Sequence, residues 1–210
     1  MKARLVIASA AAGLIMVAAL SAVLVVARDH RSSVALPPPS PYRGSIPPSD
    51  IRAPNFTLRD YRGSEVTVSR LRGRVVVVSF VDSTCTEKCP IVTSVIARAF
   101  ERLPRSVRGE VVPLLISVDP RLDSARSIRR FLARRRALAL SYVVGSVAQM
   151  RPVWKAYGIL PAIDTGNADI HSSDVRIFDR HGIWVSTQHA GVDLTADNLD
   201  HDVLLALKRS

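Results

Sequence analysis

Along the chain, short and almost wholly apolar runs are separated by stretches in which apolar residues return every three or four positions. The densest run, Val75-Val76-Val77-Val78-Ser79-Phe80-Val81, is β-branched and lacks the polar alternation of a strand with a wet face. It predicts a strand buried on both sides at the centre of a sheet. Glu110 to Asp119 predicts a second buried strand, with Pro113 near its entry and Asp119-Pro120 closing it, and Leu138 to Val144 a third. Three sets recur at helical spacing: Val95, Ile96, Ala99 and Phe100; Ile128, Phe131 and Leu132; Met150, Val153 and Trp154. They predict helices from Pro90 to Leu103, Ser124 to Arg136 and Val147 to Tyr157. Pro54 to Leu58 and Val66 to Val68 read as edge strands, and Ile159 to Ile170, with a Pro, a Gly and two Asp, as loop. Val175 to Asp179 and Ile183 to Ser186 flank Arg180-His181-Gly182 as a tight hairpin, and Thr195 to Leu207 closes the chain as a helix with Thr195 at its N-cap. Strand and helix alternate, so the fold class is α/β, with a central, mostly parallel sheet flanked by helices.

The N-terminal part has a different texture. From Leu5 to Ala27 no residue is charged, a run longer than the roughly 20 residues that span a bilayer as a helix. Lys2 and Arg4 precede it, so the positive-inside rule leaves the N-terminus in the cytoplasm and carries everything after Arg28 to the far side. A cleaved signal peptide is the competing reading, since Val25-Val26-Ala27 offers small residues, but the apolar core is longer than such peptides usually have. Arg28 to Ala53 is rich in Pro and Ser and reads as a tether, which in polyproline II geometry could reach roughly 75 Å. The expected division is therefore an anchor over 1–28, a tether over 29–53 and a globular domain over 54–210.

Composition adds one constraint. The chain is 48% hydrophobic, enough for a real core, and its formal net charge of +11 is carried mostly by arginine. Arg129, Arg130, Arg134, Arg135 and Arg136 crowd the outside of one predicted helix. They could suit nucleic acid, but no aromatics interleave them and the domain is expected outside the cytoplasm, so no nucleic-acid partner is expected. A solvated face, or one turned to anionic headgroups, is the better reading.

Candidate chemistry concentrates just past the central strand. Both cysteines of the chain, Cys85 and Cys89, lie there, with Pro90 suited to a first helical turn. If helical geometry already holds at Cys85, four-residue spacing puts the two sulfurs on one side of the helix start, able to reach one atom. The helix N-terminus and Lys88 then favour the thiolate forms. Two chemistries follow: a dithiol/disulfide couple, or a thiolate metal site. A structural disulfide is the bland alternative, weakened by the shortness of the loop it would staple. On the oxidising side of a membrane a working pair needs a reductant or a metal.

The order of these elements is thioredoxin-like, although three residues separate the cysteines where thioredoxins have two. The sequence resembles the Sco/SenC family of membrane-anchored copper chaperones. The matching pieces are Cys85 to Pro90, Ile116-Ser117-Val118-Asp119-Pro120 with Asp123, Tyr157-Gly158, and His171-Ser172 ahead of Ile177-Phe178-Asp179-Arg180-His181-Gly182. Two positions depart from the family pattern: Thr86-Glu87 stands where Pro-Asp is usual, and Ile170 precedes the histidine where an Asp is usual, with Asp169 one further back. The resemblance implies one copper ion, as Cu(I) or Cu(II), held by Cys85, Cys89 and His171. It also implies a role in assembling the binuclear copper centre of cytochrome c oxidase, by metal delivery, by reduction of the oxidase cysteines, or both. The implied partners are the copper-centre subunit of that oxidase, an upstream copper donor and a thiol reductant. Two thiolates suit Cu(I), and an added imidazole lets the site hold Cu(II) as well.

A metal-independent thiol:disulfide oxidoreductase using Cys85 and Cys89 is the alternative, and such an enzyme has no need of His171. A peroxidase would require a Pro-x-x-x-Thr-x-x-Cys pattern that Val81 to Cys85 does not supply. Among the remaining histidines, His30 lies in the tether, His181 in a turn and His201 on a helix face that Asp200 and Asp202 mark as exposed. His189, after the last strand, is the rival to His171.

Overall fold

The structure is a computed structural model and describes residues 40–209. The expected membrane anchor and the first part of the tether lie outside those residues. Among the described residues no helix is long and apolar enough to cross a membrane.

In chain order the elements are β1 (Thr57–Asp60), β2 (Glu65–Thr67), a 3-10 turn (Val68–Leu71), β3 (Val75–Val81), α1 (Lys88–Arg102), α2 (Arg105–Arg108), β4 (Val111–Ser117), α3 (Ala125–Ala133), β5 (Ser141–Val144), α4 (Val147–Tyr157), α5 (Ala162–Thr165), β6 (Val175–Phe178), β7 (Trp184–Gln188) and α6 (Ala196–Leu207). The seven strands form one sheet in the order β2-β1-β5-β4-β3-β6-β7. Every residue of β3 is buried. Val75, Val77 and Val81 face a core shared with Val92 and Ile96 of α1, Phe131 of α3 and Val203 of α6. Val76, Val78 and Phe80 face the opposite core, with Met150, Trp154 and Tyr157 of α4. Each such side chain contributes about 1.5–3 kcal/mol through burial, so the loop leaving β3 starts from a firmly held base.

The sheet is mixed rather than mostly parallel. β3 pairs with β4 and β4 with β5 in parallel, each across a helical connection, while β1–β2, β1–β5, β3–β6 and β6–β7 are antiparallel. The β-α alternation gives parallel strands from β3 to β5, but β6 enters antiparallel beside β3 even though α4 and α5 precede it, and the short connections of the two outer hairpins reverse the chain. Pro113 is the third residue of β4 rather than its entry, and the pairing of β4 with β5 begins only after it, at Leu114. The helix predicted from Ser124 ends at Ala133, not Arg136, because the Ala137 N–H turns back to the Leu132 carbonyl, and the following strand is correspondingly short. The stretch expected as loop from Ile159 to Ile170 contains the single turn α5.

From Arg43 onward the segment read as tether lies against the domain. Ser45 bridges to Thr187 and Arg52 to Ile183, so prolines 47 and 48 sit in a strip that runs along the outer edge of β7. Proline tolerates such an edge, where no full ladder is required. Gly44 is needed for the close approach: a Cβ there would lie 2.4 Å from Ser186 Oγ and 2.5 Å from the Thr187 carbonyl. Asp202 closes this corner and is fully buried, contrary to the exposed face expected of it. Its carboxylate accepts from the N–H of Arg43 (2.8 Å) and Gly44 (3.0 Å), from Ser186 Oγ (2.7 Å) and from Gln188 Nε2 (3.0 Å).

Candidate metal centre

The turn that carries Cys85 begins where β3 ends and is built on two buried carboxylates. Asp82 Oδ1 accepts from the Thr84 N–H and Oγ1, both at 2.6 Å, and the Cys85 N–H reaches back to the Asp82 carbonyl at 3.3 Å. Asp123 Oδ1 accepts from the Ser83 N–H at 2.9 Å, while its Oδ2 takes the hydroxyls of Ser117 (2.6 Å) and Tyr142 (2.7 Å). Burial pushes the Asp123 carboxyl up to about 6, against the pull of those three donors.

Helix α1 starts at Lys88, so Cys89 lies in its first turn and Cys85 lies before it. The sulfurs meet through the turn, not through helical spacing as expected. The Cys89 N–H points at Cys85 Sγ at 3.3 Å, offering an unpaired helix-start donor to a sulfur. Both side chains are buried, Cys85 at 3% exposure and Cys89 at 0%, and neither forms a disulfide.

His171 arrives from the loop before β6, which pairs antiparallel with β3 and so begins beside the carboxyl end of that strand. Its Nε2 lies 3.1 Å from Cys89 Sγ, and its Nδ1 lies 2.7 Å from the Ser172 carbonyl. A carbonyl can only accept, so Nδ1 carries a proton and Nε2 is the atom turned to the sulfurs. The ligand atoms of Cys85, Cys89 and His171 all lie within 4.8 Å of one another. Asp169 fastens this loop to the cysteine turn, accepting from the N–H groups of Thr86 (2.9 Å) and Glu87 (3.1 Å). The loop is braced from behind by a reciprocal pair between Leu160 and Ser172.

The two thiols are not equivalent, although the sequence reading expected both to favour the thiolate. Hydrogen bonding from Cys89 first, with further help from His171 and against the cost of burial, brings Cys85 down to about 5. Its proximity and burial hold Cys89 well above the ordinary thiol range. One negative charge on the pair makes a second unfavourable, which is why they diverge. Lys88 is turned elsewhere, lining a cavity of about 490 Å³ with Asp174 and His189. Burial alone would lower His171, but its hydrogen bonds with Cys85 and the Ser172 carbonyl leave it raised.

His189 and His181 are exposed. His201 Nδ1 lies 3.0 Å from Asp202, away from the centre, and His30 is outside the described residues. Sequence reasoning did not find the structural work of Asp82 or of the Asp202 corner. A carboxylate next to apolar residues was a visible signal in both cases, but its partners come from distant segments.

The sheet and its cysteine-bearing turn define a thioredoxin-like fold with a Cys-Cys-His cluster at the end of the central strand. The SCO1/SenC family profile matches residues 45–199, and the chain belongs to that family. A Stutzerimonas stutzeri protein named as a candidate copper-binding protein is 28% identical over 120 residues, 56% of this chain and 58% of that protein, so the match spans little more than half of the relative. Among solved structures, Bradyrhizobium japonicum ScoI with copper bound aligns with a TM-score of 0.61 at 24% identity, covering 75% of this chain and 100% of that one. The thioredoxin domain of a Bacteroides vulgatus thiol-disulfide oxidoreductase aligns with a TM-score of 0.57 at 17% identity, covering 77% of this chain and 98% of that one. At these identities the structural likenesses speak for the fold.

Proposed function

We propose that this protein carries one copper ion on Cys85 Sγ, Cys89 Sγ and His171 Nε2, outside the cytoplasm, held to the membrane by the apolar run from Leu5 to Ala27. Its recipient is the copper-centre subunit of cytochrome c oxidase, with an upstream copper donor and a thiol reductant as further partners. The observation that carries the reading is the convergence of three donor atoms within 4.8 Å. The donor chemistry fits: two sulfurs and a neutral imidazole nitrogen suit Cu(I) and can also hold Cu(II), whereas a structural zinc site would call for a fourth protein ligand. Ser172 fixes the imidazole tautomer, leaving Nε2 free for the metal.

The test is Cu(I) titration of the purified chain against a competing chelator. One equivalent should be held, and Cys85→Ser or Cys89→Ser should abolish tight binding. A single mutant that keeps its copper would rule out a shared site. Location is tested separately by a reporter enzyme fused after Ser49, which should be active only if it is outside the cytoplasm.

The divergence of the two thiols supports a second reading, a thiol:disulfide oxidoreductase. Cys85 thiolate attacks a partner disulfide, one partner thiolate leaves, and Cys89 then resolves the mixed disulfide; the resulting Cys85–Cys89 disulfide needs an external dithiol to reset it. The same attack could reduce the oxidase cysteines before loading. Disulfide reduction by the metal-free chain that is unchanged in His171→Ala would favour this reading.

A further inference from the structure

A groove of about 410 Å³ separates the cysteine turn from α3. Cys85 and Thr86 line one wall, and Ser127, Arg130, Arg134 and Arg135 the other; Cys89 and His171 are not part of it. Arg126, Arg130 and, at the C-cap of α3, Arg134 are spaced four residues apart, a row about 12 Å long of which Arg130 and Arg134 line the groove. All three are exposed. Among the described residues none of these arginines, nor Arg135, pairs with a carboxylate. Like charges at this spacing repel one another, and no carboxylate among the described residues pairs with them. Arg135 is held in place, stacked 4.0 Å from the Phe131 ring with its Nη1 donating to the Phe131 carbonyl, while its Nε has no partner.

We propose that this groove docks an acidic polypeptide segment of the protein that exchanges cargo at Cys85. The copper-carrier reading supplies the identity of that cargo, but the groove's preference for carboxylates stands on its own residues. In an extended peptide, alternate side chains point the same way about 6.6 Å apart. The arginine row advances about 6 Å per step, so successive carboxylates on one face of such a strand meet successive guanidinium groups. A lipid surface is the weaker fit, because headgroups present a plane while the arginines here flank a cleft whose other wall is the cysteine turn.

The full chain, reduced and metal-free, is reacted with a bromoacetyl-capped peptide of alternating Asp and Gly, and with its Asn-Gly counterpart. Cys85 Sγ displaces bromide and forms the thioether, so the rate reports peptide residence beside that sulfur. The acidic peptide should react about tenfold faster at low salt, with the advantage shrinking as salt is added. In R130Q/R134Q the two rates should become nearly equal while the rate with bromoacetamide stays at the wild-type value. Exposed arginines elsewhere, replaced in R98Q/R105Q, should leave the advantage intact. The proposal is overturned if the advantage survives R130Q/R134Q, or if R98Q/R105Q removes it as completely. It is also overturned if phosphatidylglycerol vesicles shield Cys85 in an Arg130- and Arg134-dependent way while the peptides show no difference. A chain that fails to hold Cu(I) defeats the copper reading and leaves these rates to decide the groove.

Discussion

Asp169 accepts the backbone N–H of Thr86 at 2.9 Å, tying the loop that carries His171 to the turn that carries Cys85. The Thr86 hydroxyl adds a longer bond at 3.3 Å. Asp169→Ala should therefore loosen His171, the proposed third ligand, while both cysteines stay in the chain, although the Asp169 carboxylate also interacts with the Cys85 thiol. Cu(II) affinity is expected to fall by about tenfold to a hundredfold, with Cu(I) affinity falling less, since thiolates dominate that state. Paired chelator competitions in the two oxidation states check this, and equal losses in both would refute it.

His171→Ala should remove the Cu(II) charge-transfer spectrum and weaken Cu(II) more than Cu(I), because imidazole is the borderline ligand of the three. His189→Ala should leave both states bound as in wild type. The reverse pattern would make His189 the ligand.

The corner around Asp202 gives a prediction about stability alone. Asp202→Ala leaves two backbone N–H groups, a hydroxyl and an amide without their acceptor, at an expected cost of roughly 3–5 kcal/mol. Gly44→Ala should cost roughly 1–3 kcal/mol by forcing the segment away from Ser186. Both should lower the urea midpoint. Despite its burial, Asp202 is held below the ordinary carboxylate range by its donors, so its contribution is present at neutral pH and lost on acidification below that range.

Asp123 should act in the opposite sense. Its carboxyl is raised from 3.8 to about 6 by burial, so the folded chain takes up a proton that the unfolded chain has already released. The stabilisation it gives is full below 3.8 and is lost as pH rises through about 6. Urea midpoints of wild type minus Asp123→Asn, followed from about pH 4 to about pH 7, should fall with rising pH. A difference that is flat or rises would show that the carboxyl ionises normally in the fold.

Much of this fold was legible because β3 is written without a polar position except Ser79, and because α6 carries Thr195 at its N-cap. The two cysteines were legible as a pair, but their geometry was not: a Cys-x-x-x-Cys spacing fits a helical turn, and only the bonds of Asp82 and Asp123 reveal that a non-helical turn brings the sulfurs together. The unequal thiols were hidden for a similar reason, since mutual contact and burial, not Lys88, decide which one ionises. His171 was legible through family resemblance; its spacing from Cys89 carries no periodic signal. The edge strip from Arg43 to Arg52 was masked by its prolines, which describe local backbone preference and not what a distant Asp202 can capture.

The antiparallel register of β6 on β3, with Ser79 opposite Val175, is what delivers His171 to the two sulfurs. The unfolded chain separates these donors by some eighty residues, so it offers copper no comparable three-coordinate grip. Loading and folding are then thermodynamically linked: bound copper stabilises the native chain by RT ln(1 + [Cu]/Kd), about 2.7 kcal/mol at a hundredfold excess over Kd. By the same linkage, the copper-free chain is easier to unfold than the copper-bound one, and a substitution that loosens β6 from β3 will read in cells as poor copper retention even though Cys85, Cys89 and His171 are all intact.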